Sequence, residues 1–152
     1  MTARGVLERA KAFLCWDCLP GLSVQLIEMT EGVSFFHPPM ERQTVIVYYA
    51  KGCEDFTAPL FLLFHEAGHG EQYGAMAGRN RASEFERLMN DPGSPSRAAF
   101  EKQAWDLGRA YLERFILRES LPGRLLADYD AFARVRIEGY GPAYGATGND
   151  IE

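Results

Sequence analysis

Histidine is scarce in this chain of 152 residues: there are three, at positions 37, 65 and 69. Cysteine is as rare, with Cys15 and Cys18 in a lone C-x-x-C and Cys53 apart from them. An odd number of thiols does not make a disulfide framework, and one C-x-x-C supplies half of the four ligands that a structural zinc site needs. The three are expected to be small, buried or half-buried thiols. Positive charge is also short. The 16 Lys and Arg stand against 21 Asp and Glu, giving a net charge of -5 and a pI near 5.3. That leaves no global field to hold phosphates and argues against a nucleic acid or an anionic membrane as the main partner. Long apolar runs are missing too. The longest, Ala58 to Phe64, falls far short of the roughly 20 residues that cross a bilayer. Residues 1–14 carry charge throughout and lack the apolar stretch of a signal peptide. The expectation is a soluble, cytoplasmic protein.

What is present suffices for one domain, because a chain of this length that is 47% hydrophobic can bury a core without covalent staples. Val6, Leu7, Ala10, Phe13 and Leu14 fall at helical spacing and predict an amphipathic opening helix that stops before Pro20-Gly21. Leu22, Val24 and Leu26 alternate with polar neighbours as a half-buried strand. Glu31-Gly32 reads as the turn into a short strand at 33–36, which His37-Pro38-Pro39 ends. The stretch TVIVYYA, residues 44–50, is rich in β-branched and aromatic residues and predicts a strand covered on both faces.

Beyond Lys51-Gly52, Thr57 is placed to cap a helix that runs to about Tyr73, with Pro59 in its first turn. A polar, breaker-rich stretch follows, with a short helix at 82–89. A long helix is expected from Ser94-Pro95 to about Arg118. Ser120 would cap a last one through Leu125, Leu126, Tyr129, Phe132 and Ala133. The order of helix, three strands and three main helices predicts an α+β fold, one domain over 1–138 with a glycine-rich tail at 139–152.

Against this background stands FHEAGHG, residues 64–70. Shuffling the composition would produce H-E-x-x-H in roughly 0.4% of chains, so coincidence is disfavoured. On a helix, His65 and His69 sit one turn apart and can aim ring nitrogens at one point, where a zinc ion accepts neutral imidazole. Glu66 projects beside that point, which suits a general base better than a ligand.

Two histidines leave a catalytic zinc site one ligand short. A metzincin continuation would require glycine and histidine where this chain has Gln72 and Ala75, so that class is rejected. His37, beside two prolines, is a weaker candidate. Glu101 is the better one. It lies on the edge of an apolar helix face, in line with Ala104, Trp105, Gly108 and Leu112, where a carboxylate is costly unless paired or metal-bound. Gly108 and Ala104 would let that helix approach the HEAGH helix closely. Glu84 and Glu86 are lesser rivals, and Arg79, Arg81, Arg87 and Arg97 around them read as a solvated face.

HEAGH followed by a helix with E-x-x-A-W resembles the zincin metallopeptidases of the glutamate-ligand, or gluzincin, type. The closest look is that of the compact intracellular ImmA/IrrE-type peptidases, and the likeness covers residues 43–118. It implies a zincin-like fold, a small twisted sheet of about three strands packed against an active-site helix and a glutamate-bearing helix. It further implies zinc held by His65, His69 and Glu101, water activated by Glu66, and a peptide or protein substrate. The family commonly has Asp or Asn four residues after the glutamate ligand to orient a histidine, and this chain has Trp105 there. Oxyanion donors could come from His37, Tyr73, Tyr140 or Tyr144. Two other readings compete. One is a catalytically idle zincin fold that keeps its metal and serves as a binding module. The other is a deformylase-like hydrolase with Cys53 as third ligand, although Cys53 stands closer to His65 than that arrangement suggests.

Overall fold

A computed structural model of the chain describes residues 1–29, 43–91 and 93–139, and residues 34–37 by their backbone. The first helix, α1, spans Arg4–Phe13 and buries Leu7, Ala10 and Phe13, as its spacing predicts. It continues as a π-helical turn, Leu14–Cys18, that carries the C-x-x-C. The thiols of Cys15, Cys18 and Cys53 are free and half-buried, and burial pushes those of Cys15 and Cys18 up from their ordinary range. The raised Cys15 and Cys18 thiols stay protonated at neutral pH.

Three strands follow: β1, Leu22–Met29; β2, Ser34–His37; and β3, Gln43–Ala50. The sheet order is β1-β3-β2. β3 pairs parallel with β1, from Leu22 opposite Gln43 to Met29 opposite Ala50, and antiparallel with β2, from Ser34 opposite Val47 to His37 opposite Thr44. β1 and β2 are consecutive in sequence yet occupy opposite edges. The turn expected at Glu31-Gly32 lies outside the described residues, as does the tail at 140–152. The central place of β3 fits its β-branched and aromatic composition, but the expected cover on both faces is not what forms. Val45, Val47 and Tyr49 are buried while Thr44, Ile46 and Tyr48 are only half-buried. Pairing along both edges, with a helix packed on one face, accounts for the apolar run.

That helix is α2, Thr57–Ala77, one turn longer than predicted. Thr57 is its first residue and not its cap. Asp55, two residues upstream, accepts hydrogen bonds from the Thr57 backbone N–H at 3.1 Å, the Thr57 hydroxyl at 2.6 Å and the Thr2 N–H at 2.8 Å. Bonds from Thr57 and Thr2 hold the Asp55 carboxyl below the usual range, and an anion at a helix N-terminus is favoured by the helix dipole. Two other predicted caps are displaced in the same way. The long helix α4, Arg97–Glu119, starts after a turn through Ser94–Ser96, in which Ser94 O accepts from Arg97 N. Ser120 ends α4 in the left-handed conformation, at φ 53°, and does not start α5, Arg124–Glu138. Ser, Asp and Asn favour helix ends of either kind, so spacing alone misplaces them. The short helix α3 forms at Ala82–Asn90, as expected.

Helices α2 and α4 pack with backbone against backbone. A Cβ on Gly68 would overlap the carbonyl of Ala104, and one on Gly108 would overlap the carbonyl of Phe64 and crowd the Tyr129 hydroxyl. The Tyr129 hydroxyl itself donates to the Trp105 carbonyl at 3.0 Å. Around this contact Phe61 meets Tyr129 edge-on at 5.3 Å, and Phe115 bridges Phe13 and Phe64 at 5.5 and 5.6 Å. Among the described residues the core is a single cluster that draws on every helix, and the fold is mixed α+β. No helix among the described residues is long and apolar enough to cross a membrane. Because neither backbone can retreat, Gly108→Ala should cost about 2 kcal/mol through overpacking. Thermal unfolding should then show a Tm lower by about 4–8 °C; an unchanged Tm would show that the helices separate freely.

Candidate metal centre

α2 delivers three ionisable side chains into this core. His65, Glu66 and His69 are buried, in a segment otherwise lined by Leu60, Leu63, Phe64 and Ala67. α4 brings the fourth. Glu101, 1% exposed, follows the apolar face of its helix inward with Ala104, Trp105, Gly108 and Leu112. The two helices converge so that one oxygen, Glu101 Oε2, stands 3.3 Å from His65 Nε2 and 3.3 Å from His69 Nε2. The donor atoms of His65, His69 and Glu101 all lie within 4.8 Å of one another. Atoms bonded to one zinc ion at 2.0–2.1 Å on tetrahedral corners lie about 3.3 Å apart, so two edges of such a site are already in place.

The hydrogen bonds around His69 fix its chemistry. Gln72 Nε2 donates to the Phe100 carbonyl at 2.9 Å and to Gln103 Oε1 at 2.8 Å. Its Oε1 therefore faces His69 Nδ1, 2.8 Å away, and can only accept. Nδ1 must carry the proton. The Nε2 lone pair then faces an ionised carboxylate oxygen, which is repulsive unless a cation lies between them. Two cations meet that demand, a proton on Nε2 or a metal ion. One proton serves one histidine; a metal ion serves both histidines and the carboxylate together.

The electrostatics separate the two histidines. Burial opposes charge on Glu101, but hydrogen bonds from His65 and His69 outweigh it and hold the carboxyl well below the usual range. Burial pushes His65 down from its ordinary value against the pull of Glu101 and Glu66, leaving a neutral imidazole suited to ligation. His69 moves the other way although it touches the same oxygen. Burial lowers it, and Glu101, Glu66 and Gln72 together raise it. Two contributions separate them: charge on His69 lowers His65, and Gln72 adds a small upward pull on His69 alone. His65 instead lies flat on Trp105, with ring centroids 3.9 Å apart and planes 16° from parallel. Its Nδ1 has no hydrogen-bond partner among the described residues, nor has Trp105 Nε1.

The other sequence candidates are not part of the cluster. Glu84 forms an exposed pair with Arg81 at 2.6 Å, Glu86 is exposed, and the Cys53 thiol donates to the Asp55 carbonyl at 3.2 Å. Tyr73 is half-buried and packs edge-on against Phe85. The side chain of His37, and Tyr140 and Tyr144, lie outside the described residues. Two residues at the site carry roles that the pattern did not show. Gln72 entered the reading only as a mismatch to another class, although it stands three residues after His69 on the same helix face. Arg97 was assigned to a solvated face, but it is only 14% exposed and pairs with Glu101 Oε1 at 2.6 Å, four residues along α4.

A buried His65, His69 and Glu101 group can thus hold a metal ion. No family model, curated protein or solved structure matches the chain, and the functional reading rests on these residues. Purified protein supplied with zinc should carry about one ion per chain by elemental analysis, and Glu101→Ala should lose it. Gln72→Leu, which frees the His69 ring without touching a ligand, should weaken zinc binding about 10- to 100-fold. A Gln72→Leu protein with parental affinity would remove Gln72 from the centre.

Proposed function

We propose that this chain is a zinc-dependent metallopeptidase with a zincin-like arrangement, acting on a peptide or protein. The observation that carries the reading is the convergence of His65 Nε2 and His69 Nε2 on one buried carboxylate oxygen, with a further buried carboxylate, Glu66, beside them in H-E-x-x-H register. His65, His69 and Glu101 would hold zinc, which when bound would acidify a water molecule and polarise the scissile carbonyl.

The remaining steps belong to side chains of the chain. With the ion bound, His65 and His69 would be neutral and present Nε2. Gln72 holds the ring of His69 and keeps its proton on Nδ1. Glu66 accepts the proton of the attacking water on its carboxylate and passes it to the leaving amine nitrogen, a transfer that restores the carboxylate for the next turnover. Its negative charge also favours positive charge on both histidines, as a base positioned beside them must. The apolar wall of Phe64, Phe85, Phe100 and Trp105 excludes water and keeps these interactions strong.

One observation favours a second reading, a catalytically idle module that keeps its metal for structure. Among the described residues, His65 Nδ1 has no acceptor of the kind that metal-bound histidines ordinarily have. Glu66→Gln separates the two. For a peptidase, cleavage of a protein or peptide library should fall at least about 100-fold, with the zinc content unchanged. Zinc retained in both parent and variant with no cleavage by either would favour the idle module.

A further inference from the structure

Glu101 has two oxygens, and only one faces the histidines. Oε1 is held by Arg97 Nη2 at 2.6 Å. The other arm of the same guanidinium, Nη1, donates to the carbonyls of Leu88 and Met89, the latter at 2.5 Å. Those carbonyls belong to the last turn of α3, where backbone acceptors lack partners within the helix. α3 reaches the centre by its aromatic ring as well. Phe85 is fully buried, 5.5 Å from Phe100 and edge-on to His69 at 6.5 Å. A single side chain thereby joins the third ligand to an element that carries no ligand.

We infer that Arg97 is a positioning residue that restricts Glu101 to ligation through one oxygen and couples occupancy of the metal centre to the end of α3. The inference rests on the metal-centre reading above and extends it to regulation of that site. A free carboxylate can grip a cation with both oxygens, which would raise the protein donors from three to four and crowd the position a substrate water needs, making the ion five-coordinate when that water is bound. With Oε1 engaged by a guanidinium, only Oε2 is offered and that position stays open. The fork geometry matters, because a planar guanidinium can bond the carboxylate with one arm and two carbonyls with the other, whereas an ammonium is a single point charge. Arg97 also offsets a buried negative charge that would otherwise rest on the two imidazoles alone. Movement of the α3 terminus therefore pulls on Oε1, and a loaded centre holds the α3 terminus in place.

The test uses cobalt and zinc on the full chain, with Arg97→Gln and Arg97→Lys beside the parent and folding followed by circular dichroism. Metal affinity is read by competition with a chromophoric chelator, and coordination number by the visible absorption of bound Co²⁺. Arg97→Gln should bind about 10- to 100-fold more weakly, with the weaker bands of five-coordinate cobalt as Glu101 turns both oxygens to the ion. Arg97→Lys, which keeps the charge, should retain the intense four-coordinate spectrum and lose less affinity. In the parent, zinc should slow amide exchange in residues 85–91 as well as in α2 and α4. Parental affinity and spectrum in both variants would overturn the inference while leaving the metal centre standing. If Arg97→Gln does not fold, the lysine variant and the exchange experiment decide, and zinc protection that stops short of α3 overturns the coupling. A parent that binds neither metal would remove the metal-centre reading and this inference with it.

Discussion

Backbone meets backbone where α2 crosses α4, at Gly68 against the Ala104 carbonyl and at Gly108 against the Phe64 carbonyl. This closeness sets the geometry of the site. Gly68 lies between the two histidines of H-E-x-x-H, and Ala104 lies one turn after Glu101, so the point of contact is bracketed by the clustered side chains of both helices. A wider crossing would move Glu101 Oε2 out of reach of one or both imidazoles. The residues that make the motif are therefore also the residues that make the packing, and the small side chains in it serve the distance between helices.

A carboxylate placed in such a contact needs compensation, since an isolated buried charge is strongly disfavoured. Glu101 obtains it on both oxygens, from His65 and His69 at one and Arg97 at the other. Every group that pairs with Glu101 is itself tied down: His69 by Gln72, Arg97 by the end of α3, and His65 by the face of Trp105. The polar network links α2, α3 and α4, and the aromatic residues around it keep it dry. Such a network is stable when its members are satisfied and costly when one is removed.

The two histidines are not equivalent. His69 has a hydrogen-bonded partner that fixes its tautomer, while among the described residues the Nδ1 side of His65 has no partner and its ring face has the stacked indole. Stacking restrains the ring plane but contributes no acceptor for Nδ1–H. A ligand without an acceptor donates less electron density than one with a carboxylate behind it. If the centre holds a metal ion, the less strongly donating His65 would leave that ion a stronger Lewis acid and hold it less firmly.

The order of helix, strands and helices, the amphipathic opening helix, the HEAGH helix and the inward placement of Glu101 were all legible in the chain, because each rests on a local period or on the cost of a polar residue in an apolar face. The caps were misplaced by one to three residues, since Thr57, Ser94 and Ser120 suit more than one position at a helix end and only tertiary contacts choose between them. The burial of β3 was misjudged because an apolar run does not reveal whether edges or faces are covered. By itself the sequence determined which residues could meet: His65 and His69 by helical spacing, Glu101 by the penalty for leaving it unpaired. The tertiary structure alone decided what surrounds them. That Gln72 turns His69, that Trp105 covers His65 and that Arg97 leaves the surface to hold Glu101 depends on contacts between α2, α3 and α4, and no periodicity within one helix encodes the side chains a neighbouring helix presents to it.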